Sequence, residues 1–242
     1  YKSIVTPIAR HPNRLSFRYT SGYIRGRRMK LPYLDRIAAG KALVHALAEY
    51  RDRDDLIVLA LPRGGVPVAL EVAKALGAPL DLMIVRKLGV PGHEELAMGA
   101  IASGGFRVLN QDVLHYQQIE SELIEYVAAQ ELQELQRRQR EYRGDKPWPS
   151  LVDKCVILVD DGIATGATMM VAIKAVCADQ PADVVIAVPV APALTLRLIE
   201  QEGIHVVCPA VPEPFYAIGQ FYTDFHQVSD GEVREMMREI ES

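Results

Sequence analysis

The chain has 242 residues, a formal charge of −4, 49% hydrophobic and 24% charged residues, enough for one substantial α/β domain with additions and a large core. No run reaches the ~18 apolar residues of a membrane span. Residues 1–30 hold eight basic side chains and no acid, against 19 basic and 31 acidic residues in the remainder. A basic N-terminal extension is therefore expected before a single domain at 31–242, and the acidic body argues against general nucleic-acid binding. Cys155, Cys177 and Cys208 lie in or beside apolar stretches without Cys-x-x-Cys spacing. They imply reduced core thiols in a cytoplasmic protein rather than a metal site.

In chain order, residues 35–50 place Ile37, Leu43, Val44 and Leu47 at helical spacing behind Asp35, predicting an amphipathic helix. Residues 56–61 form an apolar strand, which Pro62-Arg63-Gly64-Gly65 interrupts before a helical run at 68–76. Arg63 offers a positive charge, and Gly64 and Gly65 let backbone amides approach an anion, although the same four residues also suit an ordinary turn. A strand at 80–85 ends at Arg86-Lys87. Residues 88–96 are too rich in Gly, Pro and charge for a core and predict a mobile loop. Two short strands at 98–102 and 106–109 follow. A single long amphipathic helix at 111–142 is then expected, with a face that serves as core or dimer surface, so that 111–150 forms a helical insertion.

The most informative stretch is 156–168. Val156 to Val159 have the length and branching of a strand buried on both faces, as in a parallel sheet. Asp160 and Asp161 end it, and Gly162-Ile163-Ala164-Thr165-Gly166-Ala167-Thr168 leads into an apolar helical run at 169–177. Two carboxylates thus face a helix start. Carboxylates accept hydrogen bonds from vicinal hydroxyls, and small residues at a helix N-terminus leave amides free for a phosphate. Both halves suit a sugar phosphate. A strand at 183–190, a helix at 193–202 and a strand at 204–208 complete a βα alternation, which predicts a mostly parallel sheet flanked by helices with ligand at the carboxyl ends of the strands. Residues 213–225 then gather five aromatic side chains without clear periodicity.

The stretch 156–168 resembles the 5-phosphoribosyl-1-pyrophosphate (PRPP) signature of type I phosphoribosyltransferases, and the resemblance extends over roughly 31–240. It implies an α/β phosphoribosyltransferase fold with a C-terminal hood at about 209–228. Asp160 and Asp161 would hold the ribose hydroxyls, and Ala164, Thr165, Gly166, Ala167 and Thr168 the ribose phosphate region. Arg63, Gly64 and Gly65 would hold pyrophosphate, in a loop that often carries a strained or cis peptide. Arg86, Lys87 and His93 would join them from a closing loop, with Lys87, Glu94 and Glu95 as catalytic candidates and one of the two glutamates handling the base proton. Tyr216 and Phe221 would contact the base, although the aromatic segment equally suits packing against the chain or a second subunit.

By the same resemblance, Mg²⁺ would be held mainly by PRPP and water, without a protein metal cage. The partners implied are PRPP, a small nitrogenous acceptor and a second copy of the chain, with no membrane. The chain departs from the signature at Gly162, where an aliphatic residue is usual. Ala164 stands where 6-oxopurine enzymes carry an acid, so the pattern is closer to adenine enzymes. The alternative is a non-catalytic, PRPP-responsive regulator. A dinucleotide-binding dehydrogenase is excluded, since no G-x-G-x-x-G follows the first strand.

Overall fold

The computed structural model describes residues 2–3, 23–24, 27–28 and 31–240. Most of the basic segment expected at 1–30 lies outside the described residues. Three two-residue strands, β1 (Lys2–Ser3), β2 (Tyr23–Ile24) and β3 (Arg27–Arg28), precede helix α1 (Arg36–Ala46). The Asp35 carboxylate caps α1 by accepting from the Ala38 amide at 2.7 Å, which satisfies one of the amides left over at a helix start.

Next come β4 (Leu56–Ala60), α2 (Gly65–Leu76) and β5 (Leu80–Leu82), then, after the second sheet described below, β9 (Cys155–Val159), α5 (Ala167–Ala178), β10 (Asp183–Ala187), α6 (Ala193–Gln201) and β11 (His205–Val207). The five strands β11-β10-β9-β4-β5 form one sheet, parallel throughout. Its central strands are buried on both faces, as their unbroken apolar runs require. Leu56, Val58 and Ala60 point into a core shared with α1 and α2, while Ile57 and Leu59 point into a second core against α5 and α6. The period of two along β4 thus divides the interior.

From β4 the chain builds outward to β5, then returns to β9 on the other side of β4 and continues to β10 and β11. The strand order therefore reverses between β4 and β9. In open α/β sheets the crevice for a ligand lies at such a switch point, outside the carboxyl ends of the strands. Register places Ala60 beside Val159, so the loops after β4 and β9 leave the sheet side by side.

The second sheet, β1-β8-β7-β6, contains β6 (Val85–Val90), β7 (His93–Ala102) and β8 (Phe106–Leu109), with β6, β7 and β8 antiparallel. Here the expectations of a mobile loop at 88–96 and an unbroken strand at 80–85 are corrected. The chain leaves the parallel sheet at Met83-Ile84, and 85–102 is a hairpin turning at Pro91-Gly92. Gly, Pro and charge mark a hairpin tip as readily as a loop, and register shifts at Leu88, Gly89 and Val90 blur the alternation that identifies strands.

The single helix expected at 111–142 is also corrected. It is divided into α3 (Gln111–Tyr116) and α4 (Ser121–Arg143), with Gln118 between them at a φ of 48°. Ile124, Val127, Ala128 and Leu135 of α4 are buried against the first core. A last helix, α7 (Asp230–Glu239), packs beside α4 and α2. Among the described residues no helix is long and apolar enough to cross a membrane.

Candidate active site

Two loops meet at the switch point. Pro62-Arg63-Gly64 follows β4, with a cis peptide between Pro62 and Arg63, and α2 starts at Gly65. Asp160 to Gly166 follows β9. The loops touch so closely that a Cβ on Gly64 would lie 2.0 Å from Oδ2 of Asp161, and one on Gly65 would lie 2.9 Å from Cα of Asp160. No residue larger than glycine fits at either position without displacing an acid.

The two acids differ in surroundings. Asp161 is buried, and its Oδ2 accepts from Nε of Arg36 at 2.8 Å, in an ion pair whose side chains are 8% and 11% exposed. Its carbonyl accepts from the Tyr222 hydroxyl at 2.5 Å. Asp160 is half-buried, and its Oδ1 accepts from the Asp161 amide at 2.8 Å. Burial raises the pKa of both carboxyls, and at Asp160 the neighbouring charge of Asp161 raises it further. At Asp161 the hydrogen bond from Arg36 opposes that rise.

Beyond the acids, Ala164, Thr165, Ala167 and Thr168 are exposed, while Gly166 is buried and caps α5 in a left-handed conformation, φ 81°. No side chain caps this helix start, so its first amides are available to an anion, which the helix dipole also favours. Thr195 of α6 supports the loop from beneath by donating its hydroxyl to the Ala164 carbonyl at 2.6 Å. Its methyl lies where a Cβ on Gly166 would come within 2.8 Å. Gly162 is explained by close approach: a Cβ there would lie 2.7 Å from the Ile218 side chain and 3.1 Å from the Val190 carbonyl. A hood residue occupies the space that an aliphatic side chain would need.

Arg63 is partly exposed and lies 3.4 Å from Asp230, the first residue of α7, and Asp230 also accepts from the Tyr142 hydroxyl at 2.5 Å. Arg86 is engaged elsewhere, in a 2.7 Å ion pair with Glu131 of α4. Without ligand, Arg86 is thus held toward α4, as Arg63 is toward α7. Lys87 and His93 are exposed on the hairpin. The side chains of Glu94 and Glu95 lie outside the described residues.

In the C-terminal segment, Tyr216 is 82% exposed. Phe221 is corrected as a base contact: it is buried with its ring 4.9 Å from that of Phe215, in a small core that includes Tyr33 and Tyr222. Alternating apolar and polar character is absent from 213–225, so the sequence alone does not separate inward from outward rings there.

Two supporting residues escaped sequence reasoning. Arg36, at the first position of α1, reads as a solvated charge, yet a cation there opposes the helix dipole, and that mismatch is the signal of a specific partner. Thr195 carries no comparable signal. Among the described residues no cluster of three or more His, Cys, Asp or Glu is arranged to hold a metal ion.

The sequence matches the model of the phosphoribosyl transferase domain over residues 33–207. It is 45% identical over 205 residues to two proteins of Mycobacterium tuberculosis strains, named "Putative phosphoribosyl transferase MT0597" and "Putative phosphoribosyl transferase Rv0571c". The alignment takes in 85% of this chain and 46% of each relative, so the chain spans about half the length of these curated relatives. Among solved structures, that of TT1426 from Thermus thermophilus superposes with a TM-score of 0.76 at 40% identity, covering 86% of this chain and 99% of that one. The chain belongs to the phosphoribosyl transferase domain family.

Proposed function

We propose that this chain transfers the 5-phosphoribosyl group of PRPP to a ring nitrogen of a small heterocycle, releasing pyrophosphate. The observation that carries the reading is the contact of the two loops at the switch point, where Gly64 and Gly65 abut Asp161 and Asp160 and the uncapped start of α5 follows the acids. The assignments follow from charge. The amides at 166–168 receive the 5-phosphate, the acid pair the ribose hydroxyls, and Arg63 with the Gly64 and Gly65 amides the pyrophosphate.

In the reaction the C1–oxygen bond to pyrophosphate breaks, and its electron pair leaves with the pyrophosphate. A bond from C1 to the acceptor nitrogen forms, and the nitrogen's proton passes to a base. Charge develops on C1 and on the leaving group, so fixed electrostatic positioning and exclusion of water carry most of the catalysis. Lys87 on the exposed hairpin is assigned to the leaving group.

Hard oxygen donors suit Mg²⁺. Asp160, whose Oδ2 accepts no hydrogen bond among the described residues, fits that requirement as a single carboxylate contact beside a metal ion otherwise held by PRPP and water. When bound, the ion neutralises pyrophosphate charge. The test is calorimetric titration with PRPP and Mg²⁺, followed by pyrophosphate release across a panel of purines, pyrimidines and other nitrogen heterocycles. Binding together with turnover of one acceptor is expected. Absence of PRPP binding overturns the proposal, and binding without turnover of any acceptor favours a regulator.

A further inference from the structure

Arg36 has more partners than a structural ion pair needs. Its Nε donates to Asp161 at 2.8 Å, one terminal nitrogen donates to the His226 carbonyl at 2.7 Å, and its guanidinium carbon lies 4.0 Å over the ring of Phe225. Two of the three partners belong to the C-terminal strap, residues 217–226, and the third belongs to the acid pair. Phe225 is in turn held 4.9 Å from the ring of Tyr222, whose hydroxyl donates to the carbonyl of the same Asp161. On its other edge the strap runs along the segment before α1: the Tyr33 amide donates to the Phe221 carbonyl, and the Thr223 and Asp224 amides donate to the carbonyls of Tyr33 and Leu34 at 2.7 and 2.9 Å. Ile218 of the strap also closes on Gly162, next to Asp161.

We infer that Arg36 is a positioning residue that makes the acid pair and the C-terminal strap one unit, so that ribose phosphate bound at Asp160 and Asp161 sets the strap beside the acceptor site. The inference rests on the proposed function for the identity of the ligand. Physically, Arg36 is nearly inaccessible to water, and a buried guanidinium keeps its charge, so it holds whatever acceptors surround it. A fork of fixed N–H directions bonds Asp161 and the His226 carbonyl at the same time. A shift of Asp161 toward a ligand is therefore transmitted to His226 and Phe225 through one rigid plane. Lysine, a point charge on a flexible stem, satisfies the charge of Asp161 without enforcing that geometry.

The experiment compares wild type with Arg36→Lys, using PRPP with Mg²⁺ as the probe and amide hydrogen exchange across 217–226 as the readout. In the wild type, PRPP is expected to slow exchange at Thr223, Asp224 and His226 at least tenfold. In Arg36→Lys, PRPP affinity is expected to stay within about threefold of wild type, while the slowing disappears and KM for the acceptor rises about tenfold. A merely structural Arg36 would lower Tm and leave the PRPP-dependent slowing in place, and that result overturns the inference. So does wild-type protein that binds PRPP with no change in strap exchange. Failure of wild type to bind PRPP instead overturns the proposed function, and it is seen before any variant is made. Should Arg36→Lys fold poorly, Phe225→Leu removes the ring under the guanidinium while keeping the Asp161 pair. It is expected to weaken the same slowing, and an unchanged value overturns the inference.

Discussion

Gly64 and Asp161 occupy one space: a methyl group on Gly64 would fall 2.0 Å from the Oδ2 atom that Arg36 holds. Loops almost a hundred residues apart in sequence are thereby fitted to each other, and the fit depends on the missing side chain. Gly64→Ala is expected to push Asp161 off Arg36 or to lift the loop at Arg63. Overpacking of this kind costs about 1–3 kcal/mol of stability. Urea unfolding measures that loss, and PRPP affinity should fall with it. An alanine variant with wild-type stability and affinity would show that the loops separate freely.

The acids are expected to respond unequally to substitution. Asp160→Asn removes a half-buried acceptor and should weaken PRPP binding by a factor of about ten to a hundred, the worth of a charged hydrogen bond of about 1.5–3 kcal/mol, with the fold retained. Asp161→Ala leaves Arg36 buried without its counter-charge, a loss of the order of 3–5 kcal/mol in stability. The buried ion pair with Arg36 belongs to Asp161 alone, which is the source of the expected difference. Equal Tm values for Asp160→Asn and Asp161→Ala would contradict the asymmetry.

Much of the site was legible because its parts are local. A strand, two acids and a small-residue turn lie in thirteen consecutive positions, and the apolar run before them states its burial on both faces. The loop at Arg63 was legible for the same reason. What escaped is what joins distant segments: Arg36 with Asp161 and His226, Thr195 with Ala164, Ile218 with Gly162. One-dimensional patterns carry no information about such pairs unless a residue violates its local surroundings, as Arg36 does at a helix start. Helix α7 was readable in principle. Ser229-Asp230-Gly231-Glu232 forms a reciprocal capping box, with Ser229 accepting from the Glu232 amide and Glu232 from the Ser229 amide.

Thr195 tests support, from outside the ligand, of the loop proposed to hold the phosphate. Thr195→Val keeps the methyl beside Gly166 and removes the donor to the Ala164 carbonyl. The lost bond is worth about 1 kcal/mol. If the carbonyl is freed to reorient the loop, PRPP affinity should fall several-fold while the acceptor KM stays near wild type. Calorimetry with PRPP and steady-state kinetics separate the two effects, and a variant altered only in acceptor KM would show that Thr195 does not support that loop.

The raised pKa values at Asp160 and Asp161 give stability a distinctive pH dependence. Burial, and at Asp160 also the charge of Asp161, raise the folded-state values above the ordinary carboxylate range near 3.9. Between the unfolded value and the raised one the native state binds more protons than the unfolded chain, so the free protein loses stability as pH rises through that window and regains it as pH falls. Asp160→Asn carries no such proton. Measured from about pH 4 to 8, the Tm of Asp160→Asn should therefore gain on that of wild type as pH rises. PRPP with Mg²⁺ prefers the ionised pair and should reverse the difference, stabilising wild type more than Asp160→Asn at pH 8. Parallel Tm curves for the two proteins across this range, with and without PRPP and Mg²⁺, would show that Asp160 titrates as an ordinary surface carboxylate and is not the acid facing the ribose.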